Sequence, residues 1–166
     1  MQHCATGLIV LESKVDDAWL DYNGHVSDRN MALIFSEAEV GFLNAIEVDH
    51  EYRVGGVSVY TVESHVCFIK ELLSGQAIRV SARIVDLTNK AVHLLFELRD
   101  SSGTVCATHE SLMLHVRKQA GAAPKVCPFG RYVLANLVHL NLKHKHLLKD
   151  SQVGRTIGIR RRSEDH

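Results

Sequence analysis

Little in this chain is extreme, and its shortages are informative. Of 166 residues, two are proline, one is tryptophan and four are cysteine. Cys4, Cys67, Cys106 and Cys127 lie far apart without a CxxC pair, which excludes a dense disulfide framework and fits reduced thiols. No charge of one sign dominates, because nineteen Lys and Arg balance nineteen Asp and Glu. That balance gives no electrostatic reason to expect nucleic acid or an anionic membrane as a partner. No apolar run approaches the roughly 18 residues of a membrane span. The opening "MQHCATGLIVLESKV" has an apolar run too short and wrongly flanked for a secretion signal. A cytoplasmic location is expected, with small molecules or further copies of the chain as partners. Internal repeats and low-complexity segments are also missing.

What remains is an ordinary globular composition, 46% hydrophobic, in a length that suits one domain with a sizeable core. Residues 7–15, "GLIVLESKV", read as a strand. From Met31, the apolar positions Met31, Ile34, Phe35, Ala38, Phe42 and Ile46 follow helical spacing, interrupted mildly by Gly41. Ser27 or Asp28 can cap that helix, and Asp28 also suits the positive end of its dipole. A long strand follows the bend at Gly55 and Gly56. Strict alternation along it would set Tyr60, Val62, Ser64, Val66 and Phe68 on one face and Thr61, Glu63, His65 and Cys67 on the other. The turns "SGQ", "TNK" and "SSG" separate three more strands, so four consecutive strands are expected to form an antiparallel meander.

Pro124 and Pro128 in "RKQAGAAPKVCPFG" suit no central strand, so the sheet is expected to end there. Residues 131–148 then follow a helical stripe, and "SQVGRTIGIRRRSEDH" reads as a loose charged tail. The simplest packing is α+β, a curved antiparallel sheet wrapped around the first helix. Residues 1–125 would form that body, and residues 126–166 a C-terminal helical extension and tail of the same domain. An exposed edge strand would favour a homodimer or a dimer of dimers. His144 and His146 lack the i, i+3 or i, i+4 spacing of two metal ligands on one helical face, and read as a solvated surface. His109 and His115 share a strand face and read as satisfied structural histidines.

The densest chemistry lies in "WLDYNGHV", residues 19–26, just ahead of the helix. It is good turn material, since Asp and Asn bond local backbone and Gly accepts positive φ. It is equally a corner where a carboxylate, a glycine and the unpaired amides of a helix start could meet a carbonyl group. The residues alone leave both readings open.

Asp21, Gly24, His25 and Val26 match a pattern ahead of the buried helix in hotdog-fold acyl-CoA thioesterases of the 4-hydroxybenzoyl-CoA thioesterase type, and the chain resembles that family. It is similar more narrowly to the betainyl-CoA thioesterases of carnitine catabolism through "WLDYNGH", "YTVESHVCFIKEL", "GQAIRV", "HLLFELRDSSGTVCATHESLMLHV" and "VGRTIGI". There are departures: Trp19 stands where many members carry a second Asp, and Ser27 and Asp28 replace paired Asn.

The resemblance implies a hotdog fold and hydrolysis of a short-chain acyl-CoA, betainyl-CoA above all. Asp21 would be the general base or the nucleophile, with Asn23 and His25 hydrogen-bonding nearby. The backbone at Ser27 and Asp28 would polarise the thioester carbonyl, and Gly24 would allow close approach. A quaternary ammonium acyl group would rest against Trp19, Tyr22 and Tyr60, with Glu63 as counter-charge and His65 beside it. Glu63 and His65 could equally lie on a solvated or subunit-facing surface. This chemistry requires no metal and no organic cofactor. A hotdog enoyl-CoA hydratase and a non-catalytic acyl-CoA-binding module are the alternatives.

Overall fold

The apolar stripe does form the long helix. In the computed structural model, which describes residues 7–147 and 152–159, helix α1 runs from Asp28 to Ala45. Met31, Ile34, Phe35, Ala38 and Phe42 are buried along one side of it, and Ile46 closes it. The sheet that wraps this helix comprises β1 (Leu8–Lys14), β2 (Val57–Phe68), β3 (Ala77–Leu87), β4 (Ala91–Asp100), β5 (Val105–Gln119) and the short β6 (Ala122–Val126). Its inner face supplies Val80, Leu94, Phe96, Leu98 and Met113, all but inaccessible to solvent. Phe42 meets Phe96 edge to face, with ring centroids 6.4 Å apart. A curved antiparallel sheet around one buried helix is the hotdog arrangement that the family resemblance implies. Cys4 and the tail beyond residue 159 lie outside the described residues.

Gly41 is a requirement of this packing rather than an interruption. A Cβ there would sit 2.2 Å from the Val10 carbonyl oxygen, so only glycine lets α1 lie this close to β1.

Strand order differs from the expected meander. The sheet runs β1-β3-β4-β5-β2, so β2 pairs with β5 and not with β3. Residues 69–76 therefore cross the end of the sheet to reach β3, a path that local turn chemistry cannot reveal. Alternation along β2 also breaks. Thr61 pairs with Met113 and Glu63 with Leu112, so a bulge at Val62 resets the parity. Thr61 then shares the helix-facing side with Val66, while Tyr60, Glu63, His65 and Cys67 share the outer side. Thr61 accordingly donates to Glu39 of α1 at 2.9 Å.

The sheet also continues past Gln119. β6 pairs with β5 despite Pro124, which is tolerated because this edge strand is exposed throughout. Between α1 and β2 a short helix, α2 (His50–Val54), is capped by Asp49, whose Oδ1 accepts from Tyr52 N at 2.9 Å. Helix α3 (Arg131–His144) sends Val133 and Leu137 into the core. His144 is buried, contrary to its reading as solvated surface. β1 pairs with β3 only over Ala77–Ala82, and beyond that the Ile84 N–H is accepted by His144 Nδ1 at 3.0 Å. The side chain thus substitutes for a strand partner.

Gly41→Ala should lower stability by about 2 kcal/mol, because an added Cβ must push helix and strand apart. The midpoint of urea unfolding measures this, and an unchanged midpoint would show that the close approach is not required.

Candidate active site

The corner is built as a tight turn, and the turn presents the carboxylate. Residues Asp17–Trp19 form one turn of 3-10 helix, capped by Asp16 Oδ1 accepting from Ala18 N at 2.8 Å. Leu20 then bridges to Val26. Between them Asp21 N donates to His25 O at 2.8 Å, and Gly24 N to Asp21 O at 3.0 Å. Asn23 N donates to Asp21 Oδ1 at 2.8 Å, and among the described residues Oδ2 has only a long 3.5 Å contact from Asn23 Nδ2. Gly24 has φ +80, and a Cβ on it would meet nothing within 4 Å. Its backbone geometry needs glycine, and the space above it is open.

Three hydrogen bonds dock this turn. The Trp19 carbonyl accepts from Ser27 N at 3.0 Å and from Asn30 Nδ2 at 2.9 Å, and Val26 N donates to Leu72 O at 3.0 Å. Ser27 caps α1, its Oγ accepting from Asn30 N at 3.2 Å, and Asp28 Oδ1 accepts from Arg29 N at 2.7 Å. Among the described residues, only Asp28 N–H of these helix-start amides keeps no acceptor. The expectation of carbonyl-polarising amides at both Ser27 and Asp28 therefore narrows to Asp28, because Ser27 N is already used to hold the turn.

Asp21 opens onto a cleft of about 280 Å³ lined also by His25, Met31, Phe68, Lys70 and Leu72. Its walls are mostly apolar, and its polar groups are largely held by partners. His25 Nε2 lies 3.1 Å from Glu71 Oε2. Lys70 Nζ lies 2.6 Å from Asp100 Oδ2. The Lys70 ammonium, helped by the Ser102 hydroxyl, holds the Asp100 carboxyl well below the usual carboxylate range, and Asp100 in turn raises Lys70. Among the described residues, Asp21 is thus the carboxylate in this cleft without a cationic partner. Lys70, Glu71 and Leu72 come from the connection across the sheet end; they close "YTVESHVCFIKEL", a stretch that carries the family resemblance, but sequence reasoning gave them no role.

The other substrate candidates are not gathered here within one chain. Trp19 packs against the core, and Tyr22 is 97% exposed. Tyr60 lies eight residues along β2 from Phe68, about 26 Å at ~3.3 Å per residue, with Lys118 Nζ 5.4 Å from its ring centroid. Glu63 and His65 line a second cleft on the outer face with His93 and Glu110. There Glu110 accepts from His93 Nε2 at 2.7 Å and from Gly154 N at 2.9 Å. That contact comes from "VGRTIGI", so this part of the segment read as a loose charged tail is held against the sheet by Glu110.

Of the two strand histidines, His115 has both ring nitrogens bonded. His115 Nδ1 donates to Cys127 O at 3.0 Å, and its Nε2 accepts from Tyr52 Oη, also at 3.0 Å, while Tyr52 Oη accepts from Gly130 N at 3.0 Å. This chain of bonds needs a neutral ring, and burial pushes the His115 pKa down. His109 stacks on Phe35 at 5.0 Å and pairs through Nε2 with Glu39 at 2.9 Å, but, contrary to its reading as satisfied, its buried Nδ1 has no partner among the described residues. Among the described residues, no group of three or more His, Cys, Asp or Glu could hold a metal ion. Nor is any helix among them long and apolar enough to cross a membrane.

Comparison with known proteins adds lineage to this geometry. Residues 15–137 match the thioesterase-like superfamily. The betainyl-CoA thioesterase of Pseudomonas aeruginosa is 32% identical over 154 residues, covering 92% of this chain and 95% of that protein. The L-carnitine dehydrogenase/betainyl-CoA thioesterase of Rhizobium meliloti is 34% identical over 155 residues, covering 93% of this chain but 31% of that protein. The chain therefore spans about a third of the length of such two-function relatives. Among solved structures, a Staphylococcus aureus protein in complex with CoA superposes with a TM-score of 0.85 at 22% identity, covering 96% of this chain and 100% of that one.

Burial lowers the pKa of both His115 and His144 below the ordinary histidine value, so folding favours their neutral forms. The stability they contribute is present above about pH 6.5 and is lost as pH falls through the lowered folded values. Unfolding free energy from urea titrations between pH 7.5 and 5 should fall steadily on the acid side. A flat profile would contradict the neutral assignments.

Proposed function

We propose that this chain, which belongs to the thioesterase-like superfamily, hydrolyses the thioester of a short-chain acyl-CoA, with betainyl-CoA as the preferred substrate. The observation that carries the reading is Asp21 itself, a carboxylate that among the described residues has no cationic partner, on a cleft shared with Met31, Phe68 and Leu72. Phe68, Met31 and Leu72 exclude water around the thioester. Asp28 N–H, at the positive end of α1, is the donor for the carbonyl oxygen as it becomes negative.

As a general base, Asp21 takes the proton of a water that adds to the carbonyl carbon. As a nucleophile, it adds directly and the mixed anhydride is then hydrolysed. Either way the C–S bond breaks, the thiolate leaves to be protonated, and the products are free acid and CoA. Asn23 and His25 orient the attacking group, and Gly24 leaves room for it. The reaction runs in the cytoplasm, where free thiols such as Cys67 and Cys127 stay reduced.

The active form in this reading is a homodimer joined along β2. That strand is twelve residues long, lies at the sheet edge, and exposes Val62 at 53% and Phe68 at 60%. Antiparallel pairing of two copies about a two-fold axis runs one β2 against the other in reverse. The Tyr60 end of one copy then meets the Phe68 end of the other.

Asp21→Asn should reduce kcat with betainyl-CoA about 10³-fold, within the usual range for loss of a general base, with the fold retained by circular dichroism. Full hydrolysis by this variant would remove Asp21 from the chemistry. Val62→Lys should convert the dimer to monomer in analytical ultracentrifugation, and a wild-type monomer at micromolar concentration would exclude the proposed assembly.

A further inference from the structure

We infer that Glu71 and Phe68 hold the quaternary ammonium of the acyl group and so select a cationic substrate, an inference that rests on the acyl-CoA reading above. Betaine is glycine with a trimethylated nitrogen. Bonds of about 1.46 and 1.52 Å meeting near 111° put that nitrogen only about 2.5 Å from the carbonyl carbon. Whatever binds the ammonium must therefore line the same cleft as Asp21. The side chains expected from sequence do not meet that requirement within one chain. Trp19 packs against the core, Tyr22 is almost wholly exposed, Tyr60 lies far along β2, and Glu63 lines the outer cleft.

The crossover after β2 supplies a carboxylate in the right place. Asp21 and Glu71 both line the cleft. Asp21 is engaged at the carbonyl in either mechanism, which leaves Glu71 for the positive charge. The bond from Val26 N to Leu72 O, at 3.0 Å, fixes the backbone next to Glu71 against the corner. The lysine of the cleft does not cancel Glu71, because Lys70 is held by Asp100 at 2.6 Å. His25 Nε2 lies 3.1 Å from Glu71 Oε2, but the two are not aligned as a hydrogen bond, unlike the His93–Glu110 and His109–Glu39 pairs. Among the described residues, Glu71 Oε1 has no partner. The side chain is 72% exposed, so that oxygen is free to face a ligand, and an exposed pair with histidine is weak enough to admit a second cation.

Phe68 supplies the second element. A quaternary nitrogen has no N–H to donate, so it is recognised by charge and by the electron-rich face of an aromatic ring. Phe68 is the aromatic side chain that lines this cleft, and Met31 and Leu72 extend the apolar surface on which methyl groups can pack. A bound ligand displaces water between Glu71 and the ammonium, which strengthens their attraction. A neutral acyl group of the same shape gains the apolar contact and not the charge.

The test compares betainyl-CoA with 3,3-dimethylbutanoyl-CoA, in which carbon replaces the quaternary nitrogen and only the charge is lost. The wild type should favour the betainyl ester in kcat/KM by at least about tenfold, and Glu71→Gln should lower that ratio about tenfold. Phe68→Leu, which keeps an apolar wall without the ring, should lower it about threefold. A disturbed fold or a displaced His25 lowers turnover of both esters, so the ratio isolates recognition of the charge. Thioether analogues of the two esters, which cannot be hydrolysed, should show the same dependence on Glu71 in calorimetric Kd. An unchanged ratio in Glu71→Gln, or a wild type that does not distinguish the two esters, overturns the site. If neither ester is hydrolysed while the thioethers are still distinguished through Glu71, the hydrolase reading fails and the ammonium site stands.

Discussion

The Trp19 carbonyl holds the candidate site together. It accepts two hydrogen bonds, from the backbone of Ser27 and the side chain of Asn30, and both donors belong to the start of α1. A buried amide such as Asn30 is tolerated at a helix start only if it is bonded, and this bond fixes the turn against the helix axis. Val26 N adds a third tie, to Leu72 O on the connection between β2 and β3. Without these ties Asp21 would sit on an unanchored surface turn. With them, it shares a cleft with Phe68, Met31 and Leu72.

The strand order explains why that wall exists. Because β2 pairs with β5, the chain must cross the whole end of the sheet to begin β3, and residues 69–76 pass the corner on the way. Lys70, Glu71 and Leu72 are thus supplied to the site by topology. The same connection places Lys70 on Asp100.

Elsewhere the polar interior is spent on structure. Tyr52 and His115 join α2, β5 and the segment before α3 in one directed chain of hydrogen bonds. His144 serves the edge of β3 where β1 stops short. Each is neutral because burial disfavours its charge and because one ring nitrogen must accept. Their chemistry is that of partners for otherwise unsatisfied groups, which distinguishes them from the cleft-facing Asp21.

What the residues determined by themselves follows from short-range physics. The stripe from Met31 to Ile46 specified the buried helix, Ser27 its cap, and the hairpin turns the strands from 77 to 119, because helical period, capping and turn conformation all act within a few residues. "DYNGH" was legible as a turn for the same reason, and family resemblance was needed to single out Asp21 within it. Tertiary structure decided the rest. It moved β2 to the far edge, added β6 behind Pro124, and used a bulge at Val62 to place Glu63 and His65 outside. It also occupied Ser27 N and left Asp28 N free, and it put His144 under β3. These outcomes depend on pairing between residues tens of positions apart, where the geometry of the whole sheet, and no local propensity, sets which groups meet.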